Sequence, residues 1–216
     1  MKLEHIQLQT ADIKQTALFY QDILGLPIIE NNSEFVTIKA GNSTLKFVEN
    51  SNFNSIYHFA FNIPENKLDE AIEWCKSKVD LIVIEDQNVI TNFENWNAHA
   101  VYFYDNNGNL LEFIARHDLN NFQTEEFSAK SILNISEIGI ANENPLELGN
   151  QLIAKHDLNF FTKNTNSEVF AAIGDDEGLL IMVRPNRNWY PTKTPSESNK
   201  TDIRLENNGQ IIDLKF

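Results

Sequence analysis

Apolar and polar residues alternate through "LEHIQLQT", residues 3 to 10, so that Ile6 and Leu8 point one way while His5, Gln7 and Gln9 point the other. A period of two is the signature of a half-buried strand. The plan returns in "IYHFAFNI", residues 56 to 63, where Tyr57, Phe59, Phe61 and Ile63 form one face and His58, Ala60 and Asn62 the other. Each segment carries a histidine at its third position. A further segment, "ISEIGIA", aligns with "LEHIQLQ" and puts Glu137 where His5 stands.

Each strand opens a similar series of elements. After the first, Asp12 is placed to cap a helix with apolar positions Ile13, Ala17, Tyr20 and Leu24, and Gly25 and Pro27 stop it. Strands follow around "EFVTIKAG" and "STLKFVEN", turning at Gly41-Asn42. The second unit has a helix near 65 to 78 and then "VDLIVIED", "AHAVYFYD" and "NLLEFIAR", the last two joined at Asp105-Asn106-Asn107-Gly108. In the third unit Asn144-Pro145 opens a helix, followed by "EVFAAIG" and "GLLIMVRP". A polar stretch, 191 to 201, leads to "TDIRLENNGQIIDLKF", a terminal hairpin around Asn208-Gly209. A fourth unit is thus missing or reduced to strands.

If the first two units pair about a pseudo-twofold axis, His5 and His58 become symmetry mates across a shared cavity. Glu112 lies between Leu111 and Phe113 in "NLLEFIAR", on the side shared with Leu110 and Ile114. A carboxylate there is costly to bury without a partner, and a divalent metal shared with two imidazoles would offset that cost. Two histidines and one carboxylate form the facial triad of open metal sites. Histidines satisfied within the structure are the other reading.

Composition narrows the classes. The chain has 216 residues, 42% of them hydrophobic, enough for a real core. Its one cysteine, Cys75, falls on the apolar stripe of Leu68, Ala71 and Ile72, which excludes a disulfide framework and fits a reducing, cytoplasmic setting. No apolar run approaches the ~18 residues of a membrane span, and the N-terminus lacks signal-peptide regions. The net charge of -14, with 17 scattered basic residues, argues against nucleic acid. The expected partner is a small-molecule substrate.

Other polar residues carry two readings each. His99 and His117 fall at strand ends, where they are surface residues or proton donors. His156, expected in a helix's last turn, complements the helix dipole on one reading and binds metal on the other, the first being the commoner role. Tyr102 and Tyr104 share a strand face. Arg184, Arg187, Trp189 and Tyr190 form either a loop pinned by aromatic packing or the closure of a substrate mouth in which arginine grips a carboxylate.

Three stretches carry a family likeness: "LFYQDILGLPI" (18 to 28), "YFYDNNGNLLEF" (102 to 113) and "GDDEGLLIMVRPNRNWYPT" (174 to 192). They resemble the vicinal oxygen chelate superfamily, which includes glyoxalase I, extradiol ring-cleaving dioxygenases, fosfomycin-resistance thiol transferases and bleomycin-resistance proteins. Proline more often follows Asp in the family's hairpin, where this chain has Asn106. The resemblance implies an α+β fold of βαβββ modules. The first two would pair into a cavity-forming domain, 1-118, and a third module with a short C-terminal hairpin would occupy 130-216 and lack a metal centre of its own.

By the same resemblance His5, His58 and Glu112 would hold the metal, and Tyr102 matches a tyrosine that faces substrate in the thiol transferases. Lys46 falls where glyoxalase I has a fourth ligand, commonly glutamate, and an ammonium cannot fill that role. It could instead hold an anionic substrate or a developing oxyanion, pair with Glu112, or run along the wall to solvent. The implied activity is that of a divalent-metal-dependent enzyme acting on a small substrate with adjacent oxygens, extradiol-dioxygenase-like or glyoxalase-like. Fe(II) or Mn(II) is favoured, and Zn(II) or Ni(II) also suits such ligands. The alternative is a metal-free binding protein of bleomycin-resistance type. A homodimer is a further expectation from the likeness.

Overall fold

The structure, a computed structural model, describes residues 1–216. The first module begins with β1 (Lys2–Thr10) and α1 (Ile13–Leu18). Asp12 caps α1 by accepting from the Gln15 amide at 2.9 Å, and a wider π turn over Phe19–Ile23 carries the chain to Gly25, where φ is +68°. Strands β2 (Ile28–Asn31), β3 (Phe35–Ala40) and β4 (Ser43–Glu49) complete it. The second module comprises β5 (His58–Ile63), α2 (Leu68–Lys76), β6 (Thr91–Phe93), β7 (Ala98–Tyr104) and β8 (Leu110–Arg116). The third holds β9 (Asn134–Ala141), α3 (Pro145–His156), β10 (Phe170–Asp175) and β11 (Gly178–Val183). The chain ends in the hairpin of β12 (Asp202–Asn207) and β13 (Gln210–Lys215), whose turn residues Asn208 and Gly209 both take positive φ.

The α+β class expected from the sequence is the class observed: few helices packed on one large sheet. No helix is long and apolar enough to cross a membrane. "VDLIVIED", expected as a strand, is an irregular extended segment held by Ile82 N–H to the Tyr102 carbonyl at 2.8 Å, and β6 takes the edge position instead.

Within each module the first and last strands pair in parallel, as a helical crossover requires. His5 faces Thr44 and Gln7 faces Lys46, His58 faces Leu110 and Ala60 faces Glu112, and Glu137 faces Leu179 and Gly139 faces Ile181. By register, therefore, His5, His58 and Glu137 are equivalent, as are Lys46, Glu112 and Ile181.

Module pairing departs from the expectation that the first two modules face each other. The sheet runs β4-β1-β9-β5-β8, so β9 lies between β1 and β5. β5 pairs antiparallel with β9, with Ala60 opposite Glu137, whereas β1 spends most of its length against β12. Hydrophobic alternation fixes which face a residue takes but not which strand lies alongside.

Where β1 and β9 meet, at Leu3 and Ile135, the Ser43 hydroxyl ties them by donating to the Leu3 carbonyl and accepting from the Ile135 amide. Gly41, at φ +57°, lies so close to the Leu133 carbonyl that a Cβ would sit 2.0 Å from its oxygen. The main core, around Tyr20, Phe47, Phe61, Phe113 and Ile138, takes in the apolar faces of all three helices. A second cluster on the opposite face includes Ala60, Tyr102, Leu110, Ile114 and Trp189, and it borders the candidate site.

Candidate metal centre

β5, β8 and β9 bring His58, Glu112 and Glu137 together, one ligating atom from each lying within 4.8 Å of the others. All three residues are buried. The His58 Nδ1 lies 3.1 Å from the Leu110 carbonyl, which can only accept, so Nδ1 carries the proton and Nε2 keeps its lone pair. Nε2 is 3.7 Å from Glu112 Oε2. Burial pulls the imidazole pKa down to about 4, which leaves it neutral and able to ligate near pH 7.

Glu112 is held well above the usual carboxylate range by burial and by the neighbouring Glu137 charge, against the opposing pull of Arg116. Its Oε1 is buried and has no hydrogen-bond partner in this chain. Tyr102 stands opposite it in the β7/β8 ladder. Burial, reinforced by the Glu112 and Glu137 charges, pushes the Tyr102 phenol well above its ordinary pKa, so it stays a neutral O–H.

Glu137 is also raised by burial, with Arg116 opposing. Arg116 is fully buried, donates to Glu137 and to Ser136 Oγ (3.2 Å), and reaches Asp176 at 3.4 Å. Its guanidinium lies 5.6 Å from the Trp96 ring centroid and 5.9 Å from that of Phe161. The pair fixes Glu137 in place and offsets part of the charge that two adjacent carboxylates would concentrate.

These residues fit a divalent cation. The donor set is one neutral imidazole and two carboxylates, and the orphaned Glu112 oxygen is the kind of buried acceptor that a cation satisfies. β11 contributes only Ile181 at the register equivalent of Glu112, so a metal here would have three protein ligands. The adjoining cavity, about 210 Å³, is walled by Phe93, Trp96, Tyr102, Phe170, Trp189 and Tyr190.

His58, Glu112 and Tyr102 thus meet at this cavity; the other two singled-out residues lie elsewhere. His5 hydrogen-bonds Thr44 Oγ1 through Nδ1 at 2.8 Å, and its surroundings are Lys46, Arg204, Asp202 and Asp213. Lys46 holds its ammonium 3.8 Å above the Phe35 ring. Both are separated from the buried cluster because β1 is spent on the terminal hairpin. The residue that sequence reasoning passed over is Glu137. Its signal lies in the alignment with His5, which the expectation of a third module without a metal centre of its own does not use.

The family described as Glyoxalase/Bleomycin resistance protein/Dioxygenase superfamily matches residues 2–113, and the chain belongs to it. Among solved structures, a provisionally assigned dioxygenase from Bacillus subtilis subsp. subtilis str. 168 matches with a TM-score of 0.61 and 16% identity, over 90% of this chain and 68% of that one. A lactoylglutathione lyase from Agrobacterium tumefaciens matches at TM-score 0.43 and 20% identity, covering 51% of this chain and 90% of its own. The fosfomycin resistance protein FosX from Listeria monocytogenes matches at 0.42 and 23%, covering 53% and 92%. No curated protein matches the sequence. At 16% identity the Bacillus subtilis structure speaks for the fold alone.

Proposed function

We propose that this chain is a divalent-metal-dependent enzyme acting on a small substrate with adjacent oxygens, with His58, Glu112 and Glu137 as ligands and ring cleavage of the extradiol type as the leading reaction. The observation that carries the proposal is the convergence of those three donors, one with an unsatisfied buried oxygen, at the base of an aromatic cavity. A carboxylate-rich set suits Mn(II) or Fe(II) ahead of Zn(II) or Ni(II). When bound, the metal would supply Lewis acidity toward the substrate oxygens and, as Fe(II), open positions for dioxygen.

The protein's own groups do the rest. The Leu110 carbonyl orients His58 with Nε2 free, and Arg116 holds Glu137 while leaving its second oxygen available. Tyr102, a neutral phenol opposite Glu112, can donate a hydrogen bond or a proton to an oxygen seated beside that carboxylate. The aromatic walls exclude water and stack on a planar substrate.

A second reading has its own observation. Arg116 already partners Glu137, so the cavity is also consistent with a metal-free protein that sequesters a small aromatic ligand. Anaerobic reconstitution with Fe(II), followed by oxygen uptake with catechols, separates the two. Uptake that needs iron and disappears in Glu112→Ala supports the enzyme. Tight ligand binding, indifferent to metal and with no turnover under any of the four ions, supports sequestration.

A further inference from the structure

Arg187 stands in the loop after β11, on the wall of the same cavity. The chain has four arginines, and three of them engage their guanidinium groups: Arg116 with Glu137, Ser136 and Asp176, Arg184 with the carbonyls of Glu143 and Glu168, and Arg204 with Asp213. Arg187 alone donates no side-chain hydrogen bond and has no carboxylate within ion-pair distance, although the chain carries a net charge of -14. Its guanidinium lies 4.9 Å from the Phe170 ring centroid instead.

The loop that presents it is well held. The Arg187 amide donates to the Arg184 carbonyl at 3.2 Å, its carbonyl accepts from Ser196 at 2.8 Å, and the Trp189 amide donates to Thr194 at 2.9 Å. The cation therefore sits on fixed backbone at an exposed position, with its five donors available. Within the cavity lining the other charged groups are Glu112 and Glu137. An acidic base and a cationic wall give the cavity two chemically distinct ends.

At about 210 Å³ the space lies below the ~300 Å³ at which drug-sized sites begin, so it suits a single ring rather than a fused system. We infer that Arg187 grips the carboxylate of a small planar organic acid, bidentately, while the acid's ring lies among Phe93, Phe170 and Tyr190 and its adjacent oxygens face His58, Glu112 and Glu137. The orientation of the ring rests on the reading of the metal centre given above; the recognition of the carboxylate does not.

Chelator-treated protein tests the carboxylate subsite alone, using quenching of the Trp96 and Trp189 fluorescence by benzoate and by its neutral counterpart benzamide. The expected result is about tenfold tighter binding of benzoate by the wild type, lost in Arg187→Gln with benzamide binding unchanged and partly restored in Arg187→Lys. Equal binding of the two probes by the wild type, or a benzoate preference that survives Arg187→Gln, would overturn the inference. Repeating the titration with 3,4-dihydroxybenzoate and Mn(II) reads the other end. A gain on adding metal, present in both wild type and Arg187→Gln, supports the assigned orientation. No gain in either overturns the orientation and the metal reading while leaving the carboxylate result to stand on the first titration.

Discussion

Glu137 and His58 come from different modules, yet each offers a ligating atom to one buried group less than 4.8 Å across. They occupy equivalent register positions in β9 and β5, and these two strands pair antiparallel, so the pseudo-symmetry that the sequence suggests for His5 and His58 relates His58 to Glu137 instead.

The Arg116–Glu137 pair is fully desolvated, and removing one partner strands the other. Glu137→Ala should cost roughly 3 kcal/mol, at the lower end of the range for breaking a buried pair because Arg116 keeps Asp176. Replacing both partners with apolar residues, Arg116→Met with Glu137→Leu, should recover part of that loss. Urea unfolding of the metal-free proteins measures both, and a double variant less stable than Glu137→Ala would show that the pair does not act as a unit.

Tyr102 lies opposite Glu112 and remains a neutral phenol. Tyr102→Phe should lower turnover by about a hundredfold or more if the hydroxyl transfers a proton, with metal content unchanged. Steady-state rates alongside metal analysis give the answer; unchanged turnover would confine Tyr102 to packing.

Gly139 admits the Trp189 ring so closely that a Cβ would stand 2.5 Å from it. The ring also lies 5.1 Å, centroid to centroid, from His58. Gly139→Ala should therefore displace Trp189, alter the near-UV circular dichroism and cost about 1–3 kcal/mol as overpacking. A spectrum identical to wild type would mean that the indole is not confined as described.

His99 and His117 share a 2.8 Å contact between ring nitrogens. Burial, then the charge of His117, lowers the His99 pKa below its ordinary value of 6.5. The unfolded chain consequently binds more protons than the folded one just below pH 6.5, so this histidine's contribution to stability is lost as pH falls through that window. His99→Gln should flatten the decline in Tm between pH 7 and 5 relative to wild type; a parallel decline would assign the pH dependence elsewhere.

Local order was legible because its signals are local. Asp12 and Gly25 bracket α1, Pro145 opens α3, and Asn208-Gly209 turns the last hairpin, each through the conformation of a few residues. Alternation likewise put His58 and Glu112 on the faces they take in β5 and β8. What alternation lacks is information about distant neighbours. "VDLIVIED" reads as a strand but makes only one bond to the sheet, to Tyr102. The wedging of β9 between β1 and β5 depends on contacts among Gly41, Ser43, Leu133 and Ile135; Gly41 reads locally only as a turn, and nothing in its neighbourhood encodes its approach to Leu133. That wedge separates His5 and Lys46 from the cavity and admits Glu137.

Metal stoichiometry across single variants decides whether His58, Glu112 and Glu137 hold one ion. Purified protein, reconstituted anaerobically with Mn(II) and freed of excess ion, is assayed by elemental analysis as wild type, His5→Ala, His58→Ala, Glu112→Gln and Glu137→Gln, the last keeping an oxygen for Arg116. Near-stoichiometric metal is expected in wild type and His5→Ala, and its loss in the other three. Metal retained by Glu137→Gln but lost from His5→Ala would contradict this ligand set.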